Sequence, residues 1–411
     1  MLHPGRIPGT RLLHSAGPTR VPDEVMHAMQ RPMMDLADPR VAELIADCEA
    51  GMRRLLAAGD ADVVFYAANG HGMWEAVAVN LMAPGKVLLI AGGGHFSDSW
   101  ARQSETLAGA VSGAQVQRTP HREGHPIDAA AIEQALRDDR EQRIAAVLVV
   151  HTDTASGITS DLAAVRRAID AARHPALFVV DAVATVAAAP LAMREMGIDV
   201  VMGASQKGLM LPPGLGYAAV DARAMAWTAA HPGARFYWDW TLRRSEQQYR
   251  KFCGTPPLAH LQGLRAALGL IELEGLAQVH ARHRRLAGAV HAAVQCWAEA
   301  GALRLHCKVA PALSTSVTAI EVDAAQRQRG VDPEAIRSVA RERFQVAIAG
   351  GLGPLAGRVF RIGHLGDMND ATVLAALAGV EAAMSTLLVP YGRGGLEAAV
   401  AHLVQAHAAR A

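Results

Sequence analysis

Short apolar runs alternate with alanine-rich amphipathic stretches between about residues 60 and 220 of the 411-residue chain. The runs are rich in valine, isoleucine and leucine, which predicts strands covered on both faces, and the stretches between them have helical spacing. The sequence therefore predicts strand–helix–strand units around a buried parallel sheet. The predicted strands are Asp62–Tyr66, Lys86–Ala91, Ile144–Val150, Ala176–Asp181, Asp199–Met202 and Gly216–Val220, and the helices between them include Ala129–Asp139 and Asp161–Ala172.

The pattern changes after Pro257, where two long helical stretches are followed by shorter strands and helices. This change predicts a second, smaller α+β domain, and a chain of this length is too long for one simple core. We predict a large domain over residues 21–289 and a small C-terminal domain over residues 290–411. The elements predicted here are Leu258–Glu274, Leu276–Ala300, Leu303–His306, Ser316–Val322, Pro333–Phe344, Val359–Ile362 and a surface helix at Gly394–Ala411.

Charged side chains are balanced and scattered, with 40 basic and 39 acidic residues and a formal charge of +1. Such a chain has no basic patch for nucleic acid or an anionic membrane, so small molecules are the expected partners. The four cysteines are far apart and form no CxxC pair, which argues against a disulfide framework and a zinc site, and no metal is predicted. Because the sequence has neither a signal-peptide h-region nor a run of about 18 apolar residues, we expect a cytoplasmic protein.

Asp181 and Lys207 each follow an apolar run. Ligands of an open parallel sheet lie beyond the carboxyl ends of its strands, so both side chains are expected in one crevice. A lysine whose ammonium form is disfavoured can form an imine with a cofactor aldehyde and then carry a proton at the substrate α-carbon. A carboxylate against a pyridine nitrogen keeps that ring protonated and makes it a better electron sink. Alone, Asp181 is equally consistent with a helix cap and Lys207 more consistent with a solvated lysine; their pairing favours pyridoxal 5′-phosphate.

Two glycine-punctuated turns follow predicted strands and precede helical patterns. The turn Asn69–Gly72 suits a phosphate, because small residues let backbone N–H groups approach it and a helix N-terminus favours negative charge. The turn Ala91–Gly94 repeats the pattern, and the nearby Phe96 can either stack on an aromatic ring or pack in the core. Both motifs are weak, because any tight strand-to-helix turn recruits glycine.

A glycine-rich loop, Gly350–Gly357, leads into the predicted strand that carries Arg361. The arginine fork matches a carboxylate in two parallel charge-assisted hydrogen bonds, so Arg361 is a candidate for binding the substrate α-carboxylate. A surface arginine is the commoner interpretation of such a residue, and a structural histidine is the commoner interpretation of His364.

Together, the segments VVDAV, SQKGLMLPPGLG, HTDTASG, NGHGMWEA and RVFRIGHLG resemble the class V aminotransferases of the fold-type I pyridoxal-phosphate superfamily. The similarity covers nearly the whole chain and is nearest to the serine–, alanine– and aspartate–glyoxylate aminotransferases. It implies an α/β fold whose large domain has a mostly parallel seven-stranded sheet, with pyridoxal 5′-phosphate as the cofactor. It also implies an N-terminal segment, residues 1–20, near the active site, with Gly17 of Ser15-Ala-Gly-Pro-Thr19 beside the substrate.

The resemblance implies roles for individual residues. Lys207 is expected to hold the cofactor as a Schiff base, Asp181 to contact the pyridine nitrogen and Arg361 to bind the α-carboxylate. The other implied cofactor contacts are Asn69, Gly70, His71, Phe96, Thr154, Val183, Gln206 and Thr255. In the family the position of Thr255 reaches the phosphate of the partner subunit, so a homodimer with active sites at the subunit interface is implied.

Several positions depart from the family pattern. Asn69 stands where relatives often have serine or threonine, and Phe252 lies near a position where many have a phosphate-binding tyrosine. The HTDTASG segment lacks the glutamate common in glyoxylate enzymes and also resembles pyridoxamine–pyruvate transaminases, but those enzymes use a second arginine where this chain has Leu352. Residues 35–39 lack the His-Arg pair often found in serine–glyoxylate relatives. The amino donor is therefore left open.

The expected reaction is ping-pong transamination between an amino acid, namely serine, alanine or aspartate, and a 2-oxo acid, with glyoxylate as the first choice. The alternatives are a pyridoxamine–pyruvate or ureidoglycine–glyoxylate transaminase, or a lyase on the same fold, although Gly350–Gly357 lacks the cysteine that a desulfurase needs. A nicotinamide-dependent dehydrogenase is disfavoured, because the glycines at 92–94 do not complete the GxGxxG spacing. A cofactor-binding regulator is disfavoured because the chain has no spare segment for a DNA-binding module.

Overall fold

The computed structural model describes residues 8–408, so the ends of the predicted N-terminal segment and of the terminal helix lie outside the described residues. The strands are β1 (Leu12–His14), β2 (Asp62–Tyr66), β3 (Val87–Ile90), β4 (Gln115–Arg118), β5 (Ile144–Val150), β6 (Thr152–Asp153), β7 (Ile158–Thr159), β8 (Leu177–Asp181), β9 (Val200–Ala204), β10 (Gly216–Val220), β11 (Leu303–Leu305), β12 (Val317–Val322), β13 (Val346–Gly350) and β14 (Val359–Gly363). The α-helices are α1 (Asp23–Met29), α2 (Pro39–Leu55), α3 (Gly70–Leu81), α4 (His95–Ala108), α5 (Ala129–Asp138), α6 (Leu162–Ala172), α7 (Ala222–Ala230), α8 (Gln248–Lys251), α9 (Leu258–Glu274), α10 (Leu276–Ala298), α11 (Ala324–Gln328), α12 (Pro333–Arg343), α13 (Asp370–Thr386) and α14 (Gly395–Ala408). Within residues 8–408, no helix combines the length and the apolar character that crossing a lipid bilayer requires.

The larger sheet has seven strands in the order β2-β10-β9-β8-β5-β3-β4. The neighbours from β9 to β4 all pair in parallel, whereas β10 is antiparallel to both β2 and β9. The α/β fold with a mostly parallel seven-stranded sheet is therefore confirmed. The carboxyl ends of β5, β8 and β9 meet at one edge of this sheet, and the site lies there.

Alternate residues of the buried strands face opposite sides of this sheet. In β8, Phe178 and Val180 pack into a core with α2, α6 and α9, whereas Leu177 and Val179 pack into a core with α3, α4 and α7. Because helices cover both faces, every residue of β8 is buried, and the strand sequence is continuously apolar up to its final aspartate.

The smaller sheet has five strands in the order β1-β13-β14-β12-β11, in which β1 pairs with β13 in parallel and the other pairs are antiparallel. Its core is formed with α10, α12, α13 and α14. The N-terminal strand β1 thus joins the C-terminal sheet, which fixes the chain just before Ser15. The predicted division between residues 289 and 290 falls inside α10, and the domain boundaries stay predictions.

Two contacts join the small sheet to loops that follow strands of the large sheet. Arg358, which precedes β14, forms an ion pair with Glu123 in the loop after β4, with a nitrogen–oxygen distance of 2.6 Å. The Thr315 hydroxyl, just before β12, donates to the carbonyl of Ala188, which follows β8 along the chain, at 2.8 Å. These contacts hold the small sheet against the edge at which the parallel strands end.

Candidate active site

A cavity of about 200 Å³ opens at the carboxyl ends of β5, β8 and β9 and at the N-terminus of α3. Nine of the predicted site residues line it, namely Asn69, Gly70, His71, Phe96, Thr154, Asp181, Val183, Gln206 and Lys207. The side chains of Trp74, Val150, Thr152 and Ala184 complete the lining. The structure therefore brings most of the predicted site together in one place, while the roles of these residues stay predictions.

Asp181 is the last residue of β8 and is 4% exposed. Its Oδ1 accepts from the backbone N–H of Val183 at 2.8 Å, and its Oδ2 accepts from the indole N–H of Trp74 at 2.7 Å. Burial raises the pKa of Asp181 to about 6, against the opposing effects of these two donors and of the nearby Lys207 ammonium. Both hydrogen-bond donors to this buried carboxylate are neutral, so it is suited to a cationic ring nitrogen.

Lys207 lies three residues beyond β9 and points into the same cavity. Its Nζ donates to the carbonyl of Ala16, and a Cβ added at Gly17 would overlap the lysine amine. Gly17 has φ +110°, a conformation that favours glycine. The predicted N-terminal segment therefore reaches the lysine, and glycine is the residue that leaves room for the amine.

Burial and the charge of Arg361 lower the pKa of Lys207 to about 8, and Asp181 partly offsets this effect. A neutral amine is the form that attacks an aldehyde and accepts a proton, so this environment favours both kinds of chemistry. The amine and the carboxylate are thus perturbed in opposite directions inside one cavity, which is typical of functional sites.

The turn before α3 meets the cavity through Asn69, Gly70 and His71. The Asn69 side chain caps the helix by accepting from the N–H of Gly72 at 3.2 Å. The N–H groups of Gly70 and His71 belong to the first helical turn, where the helix itself offers them no acceptor. These groups and the positive end of the helix dipole suit an anion such as a phosphate.

Phe96 and Val183 supply apolar lining to the cavity. The Phe96 N–H donates to Oδ2 of Asp153 at 2.9 Å, and the same carboxylate accepts at Oδ1 from the N–H groups of Ala155 and Ser156. Asp153 therefore connects the turn between β6 and β7 to the first turn of α4. This buried carboxylate fixes the position of Phe96 through the backbone.

Arg361 lies on β14 of the smaller sheet and is 5% exposed. Its Nε donates to the carbonyl of Gly350 at 2.6 Å, and its Nη1 donates to the carbonyl of Thr154 at 2.7 Å. Burial lowers the pKa of Arg361 to about 10, and the negative charge of Asp153 partly opposes this shift. The two carbonyls fix the plane of the guanidinium beside the cavity, although Arg361 itself is not among the lining residues.

Thr255 is exposed and does not line the cavity of its own chain. Phe252, which stands near the tyrosine position of many relatives, is 5% exposed and packs in the core of the larger sheet. His364 is fully buried and hydrogen-bonds to the Thr315 carbonyl and the Thr318 hydroxyl, so its role is structural.

Trp74 is a residue of the cavity that the sequence analysis does not predict. It lines the cavity, and it contacts Asp181 directly. Its signal was its spacing: three residues after His71 on the same helix, it lies on the same helical face as that residue. Asp153 belongs to the HTDTASG segment, but the segment alone does not predict its contact with Phe96.

The cavity fits pyridoxal 5′-phosphate. Gln206 lines the cavity, and its side-chain Oε1 is buried without a hydrogen-bond partner among residues 8–408, as is typical of a polar group that a bound ligand or water satisfies. The helix terminus suits the phosphate, Asp181 suits the protonated ring nitrogen, and Lys207 supplies the amine. A seven-stranded sheet of this order, with a lysine and an aspartate at its carboxyl edge, is that of the fold-type I pyridoxal-phosphate-dependent enzymes.

Comparison with known proteins narrows this class. The family model for class-V aminotransferases matches residues 11–352, and the chain belongs to that family. It is 38% identical to an L-aspartate–glyoxylate aminotransferase of Paracoccus denitrificans, over 96% of each chain. It is 37% identical to a serine–glyoxylate aminotransferase of Methylorubrum extorquens, over 92% of this chain and 91% of the relative. The crystal structure of the pyridoxamine–pyruvate aminotransferase of Mesorhizobium loti superimposes with a TM-score of 0.86 at 26% identity, covering 98% of this chain and all of that one.

Proposed function

We propose that this aminotransferase uses pyridoxal 5′-phosphate bound at Lys207 to move an amino group from an amino acid to a 2-oxo acid. The observation that carries the proposal is that one cavity holds both a buried carboxylate, Asp181, whose pKa is raised and an amine, Lys207, whose pKa is lowered. When bound, the cofactor supplies an aldehyde and an electron-accepting pyridine ring.

Each group of the chain has a definite task in this proposal. Once displaced from the cofactor by the substrate amine, the Lys207 amine would carry a proton from the substrate α-carbon to the cofactor in the first half-reaction and in the reverse direction in the second. The Asp181 carboxylate holds positive charge at the ring nitrogen, and Arg361 orients the substrate through its carboxylate. Two edges of the Arg361 guanidinium are held by backbone carbonyls, so the group is already oriented before a substrate arrives.

We propose serine, alanine or aspartate as the amino donor and glyoxylate as the first-choice acceptor. The support is the set of named relatives, which act on aspartate or serine with glyoxylate and align over more than 90% of this chain. An α-carboxylate is common to all of these substrates, and Arg361 is the buried cation beside the cavity that suits it.

The test is a panel of single half-reactions. Purified holoenzyme is mixed with serine, alanine or aspartate, and the loss of visible cofactor absorbance is followed; glyoxylate, pyruvate and other 2-oxo acids are then tested for restoring it. We expect at least one of the three donors to bleach the absorbance and glyoxylate to restore it fastest. Bleaching by none of the three amino acids would contradict the donor assignment.

The alternative reactions are outcomes of the same panel. A pyridoxamine–pyruvate transaminase would transfer the amino group of unphosphorylated pyridoxamine to pyruvate. In this chain, however, Leu352 stands at the position of the second arginine of those enzymes. A ureidoglycine–glyoxylate transaminase would bleach with ureidoglycine instead of the three amino acids. A lyase would release pyruvate and ammonia from serine without consuming a 2-oxo acid.

We also propose that the active enzyme is a homodimer in which Thr255 contacts the phosphate bound to the partner subunit. Thr255 is exposed, and the segment around it carries large apolar side chains in solvent, with Phe236 73% and Tyr249 65% exposed. Exposed aromatic residues are typical of surfaces that another chain covers. Sedimentation velocity measures the mass, and Thr255→Ala should weaken cofactor retention. A monomer that retains full activity would contradict this proposal.

A further inference from the structure

Both oxygens of the Asp181 carboxylate have a donor from the protein. Val183, in the loop that follows β8, donates to Oδ1, and Trp74, from α3, donates to Oδ2. Two donors from different elements define the rotation of the carboxylate about its Cβ–Cγ bond. Each carboxylate oxygen still has accepting capacity, so Asp181 can also face a group in the cavity.

The Trp74 indole is itself held in one orientation. It is 2% exposed and stacks on Trp100 of α4, with ring centroids 5.8 Å apart and ring planes 12° apart. The Trp100 indole donates to the Trp74 carbonyl at 3.4 Å, and Phe96 meets the Trp74 ring edge-on at 6.2 Å. The donor that reaches Asp181 is therefore part of a packed aromatic cluster.

The indole N–H can donate but not accept, so its contact with Asp181 favours the carboxylate over the protonated acid. Burial has the opposite effect and favours the protonated acid. When a pyridine nitrogen and a carboxylate share one proton, the weaker the carboxylate is as a base, the more fully the proton lies on the nitrogen. The Trp74 donor weakens the basicity of Asp181.

We infer that Trp74 is a positioning residue of the active site, which orients the Asp181 carboxylate and keeps the proton that Asp181 shares with the cofactor on the ring nitrogen. This inference rests on the proposed pyridoxal-phosphate function. Trp74 acts through Asp181 and takes no proton itself.

The test compares Trp74→Phe with Trp240→Phe. The first variant keeps an aromatic ring and loses the N–H that reaches Asp181. The second is the matched control, because it removes a fully buried indole from the same core, and the N–H of that indole has no acceptor among residues 8–408. Each enzyme is reconstituted with cofactor labelled with ¹⁵N in the pyridine ring, and the ¹⁵N chemical shift reports where the proton lies.

We expect the ¹⁵N shift of Trp74→Phe to move toward that of an unprotonated ring, and the shift of Trp240→Phe to match the wild type. The donor half-reaction should slow about tenfold in Trp74→Phe, with less than a twofold change in KM for the donor. An unchanged shift in Trp74→Phe, or an equal change in Trp240→Phe, would overturn the inference. Absence of bound cofactor in the wild type would instead defeat the proposed function.

A second measurement applies if Trp74→Phe does not retain the cofactor. Fluorinated tryptophan, incorporated throughout the wild-type chain, makes each indole N–H a stronger donor with little change in shape. The ¹⁵N shift should then move further toward the protonated ring. A shift that stays constant, or that moves toward the unprotonated ring, contradicts the inference.

Discussion

At the scale of single residues, Asp181 differs from the buried Asp199 in that none of its hydrogen-bond donors is charged. It has two neutral donors and faces the cavity, whereas Asp199, also buried, is paired with the Arg223 guanidinium near the opposite end of the same sheet. A carboxylate whose charge is already matched has no need of a cationic ligand. Asp181 has that need, which under the proposed function the cofactor ring would meet.

Asp181→Asn should retain the fold and much of the cofactor but lose about 100-fold or more in the donor half-reaction rate, because a neutral amide does not stabilise charge at the ring nitrogen. Stopped-flow absorbance gives the rate. The control is Asp199→Asn, which should lower the melting temperature and leave the half-reaction of the folded enzyme near the wild-type rate. An Asp181→Asn enzyme with wild-type rates would remove this residue from the mechanism.

Arg361→Lys tests the assignment of the α-carboxylate site. We expect the apparent binding of both the donor and the acceptor to weaken by about 2–5 kcal/mol, because an ammonium cannot reproduce the planar fork and leaves the substrate carboxylate poorly paired. Stopped-flow titration with donor and with glyoxylate measures both. Arg304→Lys, at a half-exposed position on the small sheet, is the control and should change neither. A lowered melting temperature with unchanged affinity for both substrates would make Arg361 a structural residue only.

At the scale of elements, the turn between β6 and β7 and the first turn of α4 depend on one carboxylate. Asp153→Ala leaves three backbone N–H groups without their acceptor, those of Phe96, Ala155 and Ser156. We expect a loss of about 3 kcal/mol in unfolding free energy and weaker cofactor retention, because Phe96 is no longer held. Urea unfolding and cofactor titration measure these effects.

The control for that variant is Asp161→Ala, which removes the N-cap of α6 at an exposed position. Loss of such a cap costs about 1 kcal/mol and should leave cofactor affinity unchanged. If Asp153→Ala behaved like this control, its carboxylate would have no special part in holding the site.

The strands that could be predicted from sequence are those with continuous apolar runs. Asp62–Tyr66, Ile144–Val150 and Gly216–Val220 begin and end where the pattern predicts. The edge strand β4, with the sequence QVQR, is mostly exposed and has no apolar run, so the periodicity does not mark it. The pattern also does not mark β1 and β13, because the first is three residues long and the second, VAIAG, is a short apolar run that ends in a glycine-rich loop.

The sequence predicts those site residues that belong to local motifs at the ends of strands. Asp181 ends β8 and Lys207 follows β9, so their meeting at the carboxyl edge of the sheet follows from the topology alone. The contact between Trp74 and Asp181 does not, because it depends on the packing of α3 against α4. Local spacing likewise says nothing of the Ala16 carbonyl, which reaches Lys207 only because β1 pairs with a strand more than 300 residues away.

At the scale of the whole molecule, three histidines with lowered pKa values should make the protein sensitive to acid, two on α10 and one directly after β14. Burial lowers the pKa of His283 and His291 to about 4 and lowers that of His364 well below its ordinary value. The folded state keeps these rings neutral, while the unfolded chain binds protons below about pH 6.5. Their contribution is therefore complete above pH 6.5 and is lost as the pH falls from 6.5 toward 4.

This effect amounts to about 2 kcal/mol per histidine at pH 5. We expect His291→Gln to reduce the difference in unfolding free energy between pH 7.5 and pH 5 by about that amount, as measured by urea unfolding at both values. His121→Gln, at an exposed position, should leave the difference unchanged. Equal acid sensitivity in His291→Gln and the wild type would show that this ring is not held neutral by the fold.

The central claim is that Lys207 holds pyridoxal 5′-phosphate through an imine, and borohydride reduction followed by peptide mapping tests it most directly. Only an imine is reduced to a stable amine, so the cofactor becomes fixed to the lysine that carries it. The chain has four lysines, at positions 86, 207, 251 and 308, so the map has few alternatives. We predict the mass of the reduced cofactor on the peptide that contains Lys207 and its loss in Lys207→Ala. A label on any of the other three lysines, or a purified enzyme with no reducible cofactor, would contradict the account.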